Sequence, residues 1–311
     1  MKRQDFMDIL NEKGIEKRYY DLLKDNSENI QNNINEEIRQ NILSNLSYKQ
    51  CAILGLDLLG YSKFNIERQT IIPLVFDLIY QETILATVNY EGCFFEGYSF
   101  SENFISTGDG CFQIFENPIQ AFIFNVNFYI TLHTYNSFRF YRNFGIFTGE
   151  LFYRSCITTG KLFSYENNYY GPGIIKNARV INRDKLNRFL IDEDTYRWFL
   201  EKIDGIENLS EIDLEDLLLI LNIFPDWGKT AIFRTHATYK TTEENKYGRE
   251  FGKIKNCHVQ KIGNIFEKAD TFSIYNVELQ MYVYIFNPQE TKKGRGMVVS
   301  IGNSNNSGIA E

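Results

Sequence analysis

Two kinds of hydrophobic pattern alternate along the chain. The run CAILGLDLL, which begins at Cys51, is apolar almost throughout, as expected of a strand buried on both faces. The runs ERQTIIPLVF and NPIQAFIFNV repeat apolar residues at helical intervals, and Asn117-Pro118 is a typical helix start. Between them, Asp109-Gly110 separates two β-rich runs and predicts a hairpin. The order strand, helix, hairpin, helix, strand predicts an α/β (α+β) ferredoxin-like domain with a central, mostly antiparallel sheet.

The same patterns divide the chain into three parts. Residues 1–47 are polar, with Ile and Leu at helical spacing, and are predicted to form an N-terminal helical segment packed on the next domain. Residues 48–288 are predicted to form that one large domain, which ends in aromatic closing strands and has an insertion at about 204–250. Residues 289–311 are rich in Gly, Ser and Asn and are predicted to be a flexible tail.

Charge and cysteine content narrow the function classes. The 311 residues carry 33 Lys and Arg against 40 Asp and Glu, a net charge of −7, which disfavours sequence-independent binding to nucleic acid. No run approaches the ~18 consecutive apolar residues of a membrane span, and the N-terminus lacks the apolar core of a signal peptide. We therefore expect a cytoplasmic protein with no membrane partner, whose five cysteines are buried and reduced.

Two aspartates stand out as candidate metal ligands. Asp57 lies inside the apolar strand LGLDLLG, where an unpaired carboxylate is costly to bury, and Asp109 lies at the hairpin tip. In a βαββ arrangement the first strand lies beside the hairpin, so both carboxylates can meet at one edge of the sheet and bind divalent ions. The structural alternative is that Asp109 is simply a favoured turn residue and Asp57 a capped strand end.

Four segments in order resemble the class III nucleotide cyclases. LGLDLLGYSKF is similar to the first metal-binding strand and phosphate turn of that family, and ISTGDGCFQIF to the hairpin with the second metal aspartate. ITTGKLFSYENNYYGPGIIKNAR resembles its later strand, hairpin and arginine-bearing helix, and GKIKNCHVQKIGNIFEKADTFSIYNV its closing strands. The resemblance implies that Asp57, Asp109 and the carbonyl of Leu58 hold two divalent ions, Mn²⁺ or Mg²⁺.

The resemblance also implies roles for several other residues. Arg179, eight residues after Gly171, corresponds to the arginine that stabilises the transition state, and Lys268 lies near the lysine that binds the triphosphate. Lys292, Lys293 and Arg295 compete with Lys268 for that role. The backbone amides expected to cradle the triphosphate belong to Leu59, Gly60, Tyr61 and Ser62.

The departures from the family pattern bear on the substrate. Ile105 stands where the family has its adenine-reading lysine, Asn168 where it has the partner aspartate, and Ile175 where it has the ribose-orienting asparagine. A pocket without that lysine and aspartate cannot read a purine edge in the usual way. With Gly-Pro-Gly at 171–173, these changes resemble the bacterial pyrimidine cyclases of antiphage defence.

That resemblance implies a substrate, an assembly and a downstream partner. The enzyme would convert UTP to cyclic UMP, or alternatively CTP to cyclic CMP, as a second messenger for a separate effector protein. It would act as a homodimer whose active sites combine metals on one subunit with the arginine of the other. Two other readings stay open, a catalytically inactive cyclase-like module that binds a nucleotide or a protein, and an adenylate cyclase with unusual base recognition.

Overall fold

The fold is described from a computed structural model of the chain. The residues that it describes are residue 40 and residues 48–87, 94–95, 97–137, 142–165, 168–212, 217, 220–221, 254–267, 270–287 and 290–309. The predicted N-terminal helical segment at 1–47 and the greater part of the predicted insertion at 204–250 lie outside these residues.

A nine-stranded mixed sheet forms the centre of the described chain, in the order β2-β3-β1-β4-β6-β8-β7, with β5 paired to β4 and β9 to β8. Only the β4–β6 pair is parallel among the pairings described. The strands are β1 Lys49–Leu58, β2 Phe104–Ser106, β3 Cys111–Phe115, β4 Tyr153–Tyr165, β5 Asn168–Tyr170, β6 Phe189–Asp192, β7 Ile254–Glu267, β8 Asp270–Asn287 and β9 Glu290–Ile301.

Five α-helices are described. They are α1 Ile66–Thr87, α2 Pro118–Ser137, α3 Arg142–Thr148, α4 Pro172–Arg183 and α5 Glu193–Ile203. Short 3₁₀ turns follow β1 at Tyr61–Lys63 and α5 at Ile206–Ser210. The predicted fold class, α/β with a mostly antiparallel sheet, is confirmed.

The first four strands and two long helices follow the predicted ferredoxin-like plan. β1 pairs antiparallel with β3 on one side and with β4 on the other, and β2 pairs with the far edge of β3. Crossovers through α1 and α2 produce the spatial order 2-3-1-4, because each helix carries the chain past one neighbouring strand. The predicted hairpin turn at Asp109-Gly110 is confirmed, with the Thr107 amide donating to the Gly110 carbonyl at 3.0 Å.

The two faces of β1 pack against different helices. Residues of even number, such as Leu54 and Leu56, join the large apolar core with α1 and α2. Residues of odd number face α4: Ile53 packs with Ile174, and the Asn177 amide donates to the Ile53 carbonyl at 2.7 Å. Since strand side chains alternate between faces, β1 is apolar on both, which explains its uninterrupted hydrophobic run.

A partly buried ionic cluster anchors α4 and α5 to the sheet. The ammonium of Lys176 on α4 donates to the Thr159 carbonyl at 2.6 Å and to Asp194 at 2.8 Å, and forms an ion pair with Asp192. Asp192 caps α5 by accepting from the Thr195 amide at 3.0 Å. Burial raises the pKa of Asp192, and the neighbouring Lys176 opposes that shift. The helix that carries Arg179 is thereby fixed against β4.

The C-terminal region differs from the prediction. Residues 289–311 were expected to form a flexible tail, but Glu290–Ile301 forms β9 and pairs with β8 over Leu279–Asn287. Residues 302–309 then make side-chain and backbone hydrogen bonds with the body of the domain. The Gly- and Asn-rich composition supplies tight turns and amide contacts in this segment, rather than mobility.

One described helix, α1 at Ile66–Thr87, is long and apolar enough to cross a membrane by length and composition alone. Of its most apolar 18-residue window, 44% is buried within the fold. Ile72, Val75, Phe76 and Ile79 of this helix belong to the main hydrophobic core, which accounts for its composition.

Gly110 packs on β1 so closely that no side chain fits at this position. A Cβ at this position would lie 1.9 Å from the Leu56 carbonyl oxygen and 3.1 Å from the Asp57 Cα. We expect Gly110→Ala to push the hairpin off β1 and to lower the free energy of unfolding by about 1–3 kcal/mol, measured by urea denaturation. Gly145→Ala is the matched control, because a Cβ there meets nothing within 4 Å. Equal stability of the two variants would contradict this close packing.

Candidate functional site

The candidate site is built around a carboxylate at the end of β1. Asp57 lies on the α4 face, and its Oδ2 accepts from both Nε and Nη2 of Arg154, each at 2.7 Å. Arg154 is the cross-strand neighbour of Asp57 in the β1–β4 pair. Its Nη1 donates to the backbone carbonyl of Asp184, at the end of α4. The guanidinium therefore fixes Asp57 through one oxygen, while Oδ1 takes no part in these two bonds.

The hairpin brings the second predicted carboxylate to the same place. Gly110 packs on the backbone of Leu56 and Asp57, and Cys111 is the cross-strand neighbour of Leu56. Asp109, at the hairpin tip, is consequently held beside the end of β1. Asp57 and Asp109 are 52 positions apart in the sequence, and the fold brings them together.

The electrostatics of Asp109 reflect this proximity. Burial raises the pKa of its carboxyl, and the negative charge of Asp57 raises it further. A backbone hydrogen bond and the Arg154 guanidinium act in the opposite direction. A carboxylate whose proton affinity is raised by burial and by a neighbouring negative charge is one that a bound cation would stabilise.

These residues fit a divalent metal. Carboxylate oxygens from two elements are the hard ligands that Mg²⁺ and Mn²⁺ prefer. Among the described residues, no third His, Cys, Asp or Glu joins a cluster capable of holding a metal. A site with two carboxylates leaves positions for a backbone carbonyl, such as the predicted one of Leu58, for water and for substrate phosphates, which is the usual arrangement for Mg²⁺.

The turn after β1 has the geometry of a tight loop. Gly60 has φ 79°, in the left-handed region, and a 3₁₀ turn follows at Tyr61–Lys63. The predicted phosphate amides run from Leu59 to Ser62, but the Leu59 amide donates to the Phe152 carbonyl at 2.9 Å. That amide is engaged in holding the end of β1 to the start of β4. The backbone amides predicted to bind the triphosphate are therefore reduced to those of Gly60, Tyr61 and Ser62.

The other predicted residues lie in three different places. Arg179 is half-buried in the middle of α4, and Ile105 is half-buried on β2 opposite Phe112. Asn168 is exposed at the start of β5, where its Oδ1 accepts from the Tyr169 amide at 2.8 Å. Lys268 lies outside the described residues. Their proposed roles stay predictions.

A cavity of about 380 Å³ opens near the other end of β1. Its wall includes Lys49 and Cys51, on the same side of the strand as Asp57. Lys49 pairs with Glu116 at 2.8 Å, and this hydrogen bond raises the pKa of the lysine. Tyr169 donates its hydroxyl to Asn103, a second polar pair of the wall. The cavity thus presents polar groups of both charges beside apolar walls.

Arg154 is the residue that the sequence analysis missed. It interrupts the apolar strand LFYRSCITTG just as Asp57 interrupts its own strand. A charge inside an apolar strand requires a partner, so the two interruptions together were a signal for a cross-strand ion pair. The polar pairs of the cavity gave no comparable signal, because their members are common loop and strand-end residues.

No protein-family model matches the sequence, and no curated protein matches it. Several solved structures are similar in fold. The guanylyl cyclase Cya2 is 13% identical, with a TM-score of 0.41, over 75% of this chain and 93% of that one. The adenylyl cyclase CyaB from P. aeruginosa is 11% identical, with a TM-score of 0.43, over 75% and 95%.

A third similar structure is an adenylate/guanylate cyclase/hydrolase from Silicibacter pomeroyi. It is 13% identical, with a TM-score of 0.41, over 74% of this chain and 97% of that chain. At these identities and TM-scores the likeness says nothing about chemistry, and a function for this chain has to rest on the residues of the site.

The raised pKa of Asp109 predicts a pH-dependent effect of its neutral isostere. A carboxyl with a raised pKa stabilises the fold below its unfolded pKa, and that stability is lost as pH rises through the folded value. Metal-free Asp109→Asn should therefore unfold at a higher temperature than the unmodified protein at pH 7, with a difference that shrinks towards pH 4. Thermal unfolding across this range, in the presence of a chelator, measures the effect. A difference independent of pH would contradict it.

Proposed function

We propose that this protein is a nucleotide cyclase that converts a pyrimidine nucleoside triphosphate, with UTP favoured, into its 3′,5′-cyclic monophosphate and pyrophosphate. The observation that carries the proposal is the meeting of Asp57 and Asp109 beside Arg154 at the end of β1. This combines two oxygen ligands for cations with a guanidinium that suits phosphate oxygens.

The reaction needs control of negative charge. The 3′-hydroxyl oxygen attacks the α-phosphorus, the bond to the pyrophosphate oxygen breaks so that pyrophosphate is released, and the hydroxyl proton passes to water. Asp57, Asp109 and the Leu58 carbonyl would hold divalent ions, which lower the pKa of the attacking hydroxyl and neutralise phosphate charge.

Positively charged and hydrogen-bonding groups of the protein would neutralise the rest of the negative charge on the phosphates. Arg154 lies close enough to Asp57 to bond it directly, so phosphates bound at the aspartates would come within its reach. Arg179 is proposed to stabilise the transition state, because charge builds up on the α-phosphate and on the leaving pyrophosphate. The amides of Gly60, Tyr61 and Ser62 would bind the triphosphate from the turn.

The preference for a pyrimidine rests on Ile105 and Asn168. Neither position carries the charged side chain expected of a purine-reading site, and Ile105 is half-buried next to Phe112. CTP is the alternative substrate, since no residue named above separates the uracil edge from the cytosine edge. We further propose that the product is a second messenger in antiphage defence, acting on a separate effector.

A homodimer with shared active sites is part of the proposal. Each site would combine the divalent ions bound by Asp57 and Asp109 of one subunit with Arg179 of the other, as the resemblance to the nucleotide cyclases implies.

A catalytically inactive nucleotide-binding module is the second candidate. The Asp57–Arg154 pair favours it, because the ion pair satisfies the carboxylate without any metal. The half-buried Asp109 argues for the enzyme, since its raised pKa marks a carboxylate destabilised by burial and by Asp57 rather than a favourable structural one.

Turnover with separate nucleotides tests the proposal. We expect the purified protein with Mn²⁺ to form a cyclic pyrimidine monophosphate from UTP or CTP, and little product from ATP or GTP, as identified by mass spectrometry. Asp57→Ala and Asp109→Ala should reduce turnover by at least about 10³-fold, because each loses a metal ligand. Cyclic AMP or GMP as the main product would overturn the pyrimidine assignment. No product from any nucleotide would favour the binding module.

Mixing two inactive variants tests the shared site. Asp109→Ala and Arg179→Ala should each be inactive alone, while their mixture recovers about a quarter of the activity, since half the dimers are mixed and one of their two sites is intact. Native mass spectrometry establishes that the subunits exchange. An exchanged but inactive mixture would contradict a site built from two subunits.

A further inference from the structure

A C-terminal segment lies against the end of the sheet near Asp57 and Arg154. β9 ends at Ile301, and Gly302 follows with φ 83° so close to β8 that a Cβ would lie 2.1 Å from the Val277 carbonyl oxygen. Residues 303–309, which we call the C-terminal strap, then pack on the loop at 184–188 between α4 and β6.

Polar and apolar contacts both anchor the strap. Asn303 donates its amide to the Leu186 carbonyl at 3.0 Å. Asn276 on β8 donates to the Asn303 carbonyl at 2.7 Å and to Asn306 Oδ1 at 2.9 Å. At the far end, Ile309 packs on the apolar cluster that contains Ile262. The strap is therefore fixed at both ends.

Between these anchors, backbone carbonyls of the strap accept hydrogen bonds from the buried guanidinium of Arg188. Arg188 is 1% exposed, and its Nη1 donates to the Ser307 carbonyl at 2.7 Å and the Asn305 carbonyl at 3.4 Å. Its Nε donates to Asp184, which is also 1% exposed, at 2.8 Å. A buried guanidinium needs an acceptor for each of its donors, and the strap supplies acceptors that Asp184 cannot.

The same loop holds the arginine of the candidate site. The Asp184 backbone carbonyl accepts from Arg154, and the Arg188 carbonyl accepts from the Ser155 amide at 3.1 Å. Arg154 in turn binds Asp57 through two donors. A continuous series of hydrogen bonds thus runs from the strap through Arg188 and Asp184 to the carboxylate at the end of β1.

We propose that the C-terminal strap positions Arg154, and through it Asp57, with Arg188 as the positioning residue that transmits the contact. Loss of the strap leaves the Arg188 cation without its backbone acceptors. The loop at 184–188 must then rearrange to solvate it, which withdraws the Asp184 carbonyl from Arg154. The catalytic consequence rests on the proposed cyclase function, whereas the structural link does not.

Deletion of residues 303–311 tests the structural link in metal-free protein. We expect amide hydrogen exchange to accelerate about tenfold or more at Ser155, which bonds Arg188, and at Leu59, which bonds the neighbouring Phe152. Exchange at residues 50–53, at the other end of β1, should stay unchanged. A synthetic peptide of residues 303–311, added to the truncated protein, should restore this protection.

Matched point variants separate positioning from folding. Asn303→Ala removes one anchor and should accelerate exchange at Ser155, while Ser304→Ala, at an exposed neighbour, should leave it unchanged. Arg188→Lys, which keeps the buried cation, should retain more protection and more turnover than Arg188→Met. In the enzyme assay, the strap deletion should lower kcat by about 10- to 100-fold with little change in KM. Loss of a group that orients a metal ligand through a hydrogen bond typically has an effect of this size.

The outcomes are distinguishable. Selective loss of protection at Ser155 and Leu59, reversed by the peptide, supports the proposal. Unchanged exchange at both amides overturns it, as does equal acceleration throughout the sheet, which marks general destabilisation. Full activity of the strap deletion alongside an active full-length protein also overturns the positioning role. An inactive full-length protein with selective loss of protection counts against the cyclase function while supporting the strap.

Discussion

The pairing of Asp57 with Arg154 is the interaction on which the candidate site depends. A carboxylate near the end of an apolar strand needs a partner, and β4 supplies it at the directly opposite position. The arginine in turn needs acceptors for its other donors, and the Asp184 carbonyl at the end of α4 provides one. The end of β1, the start of β4 and the end of α4 are therefore held together by one guanidinium.

The charges of this end of the sheet alternate in sign. Asp57, Arg154, Asp184 and Arg188 follow one another through ion pairs and backbone bonds, and the last two are almost completely buried. Removing one member of such a series leaves its neighbour charged and unpaired, which costs more than the pair itself contributes. The arrangement therefore favours a defined geometry at the carboxylate over maximal stability.

Asp109 differs from these paired residues, because its charged form is disfavoured by its surroundings. Its carboxyl is destabilised by burial and by the nearby charge of Asp57, and a backbone hydrogen bond and Arg154 offset this only in part. The adjacent Gly110 lets the hairpin approach the β1 backbone more closely than a residue with a Cβ would, and so holds Asp109 near Asp57. Carboxyl groups whose pKa is raised by burial and by a neighbouring charge cluster at functional sites, which supports Asp109 as a candidate metal ligand.

The sequence by itself determined the β1–α1–hairpin–α2–β4 plan and its two candidate metal ligands. Hydrophobic periodicity identifies strands and helices locally, and Asp109-Gly110 identifies its turn from two residues. Tertiary structure alone decided what surrounds Asp57, because the choice of Arg154 as its partner depends on the β1–β4 register. It also decided the fate of the C-terminal residues, whose polar composition is common to mobile tails and to straps. Only the buried donors of Arg188, brought to them by the fold, make those backbone carbonyls a binding site.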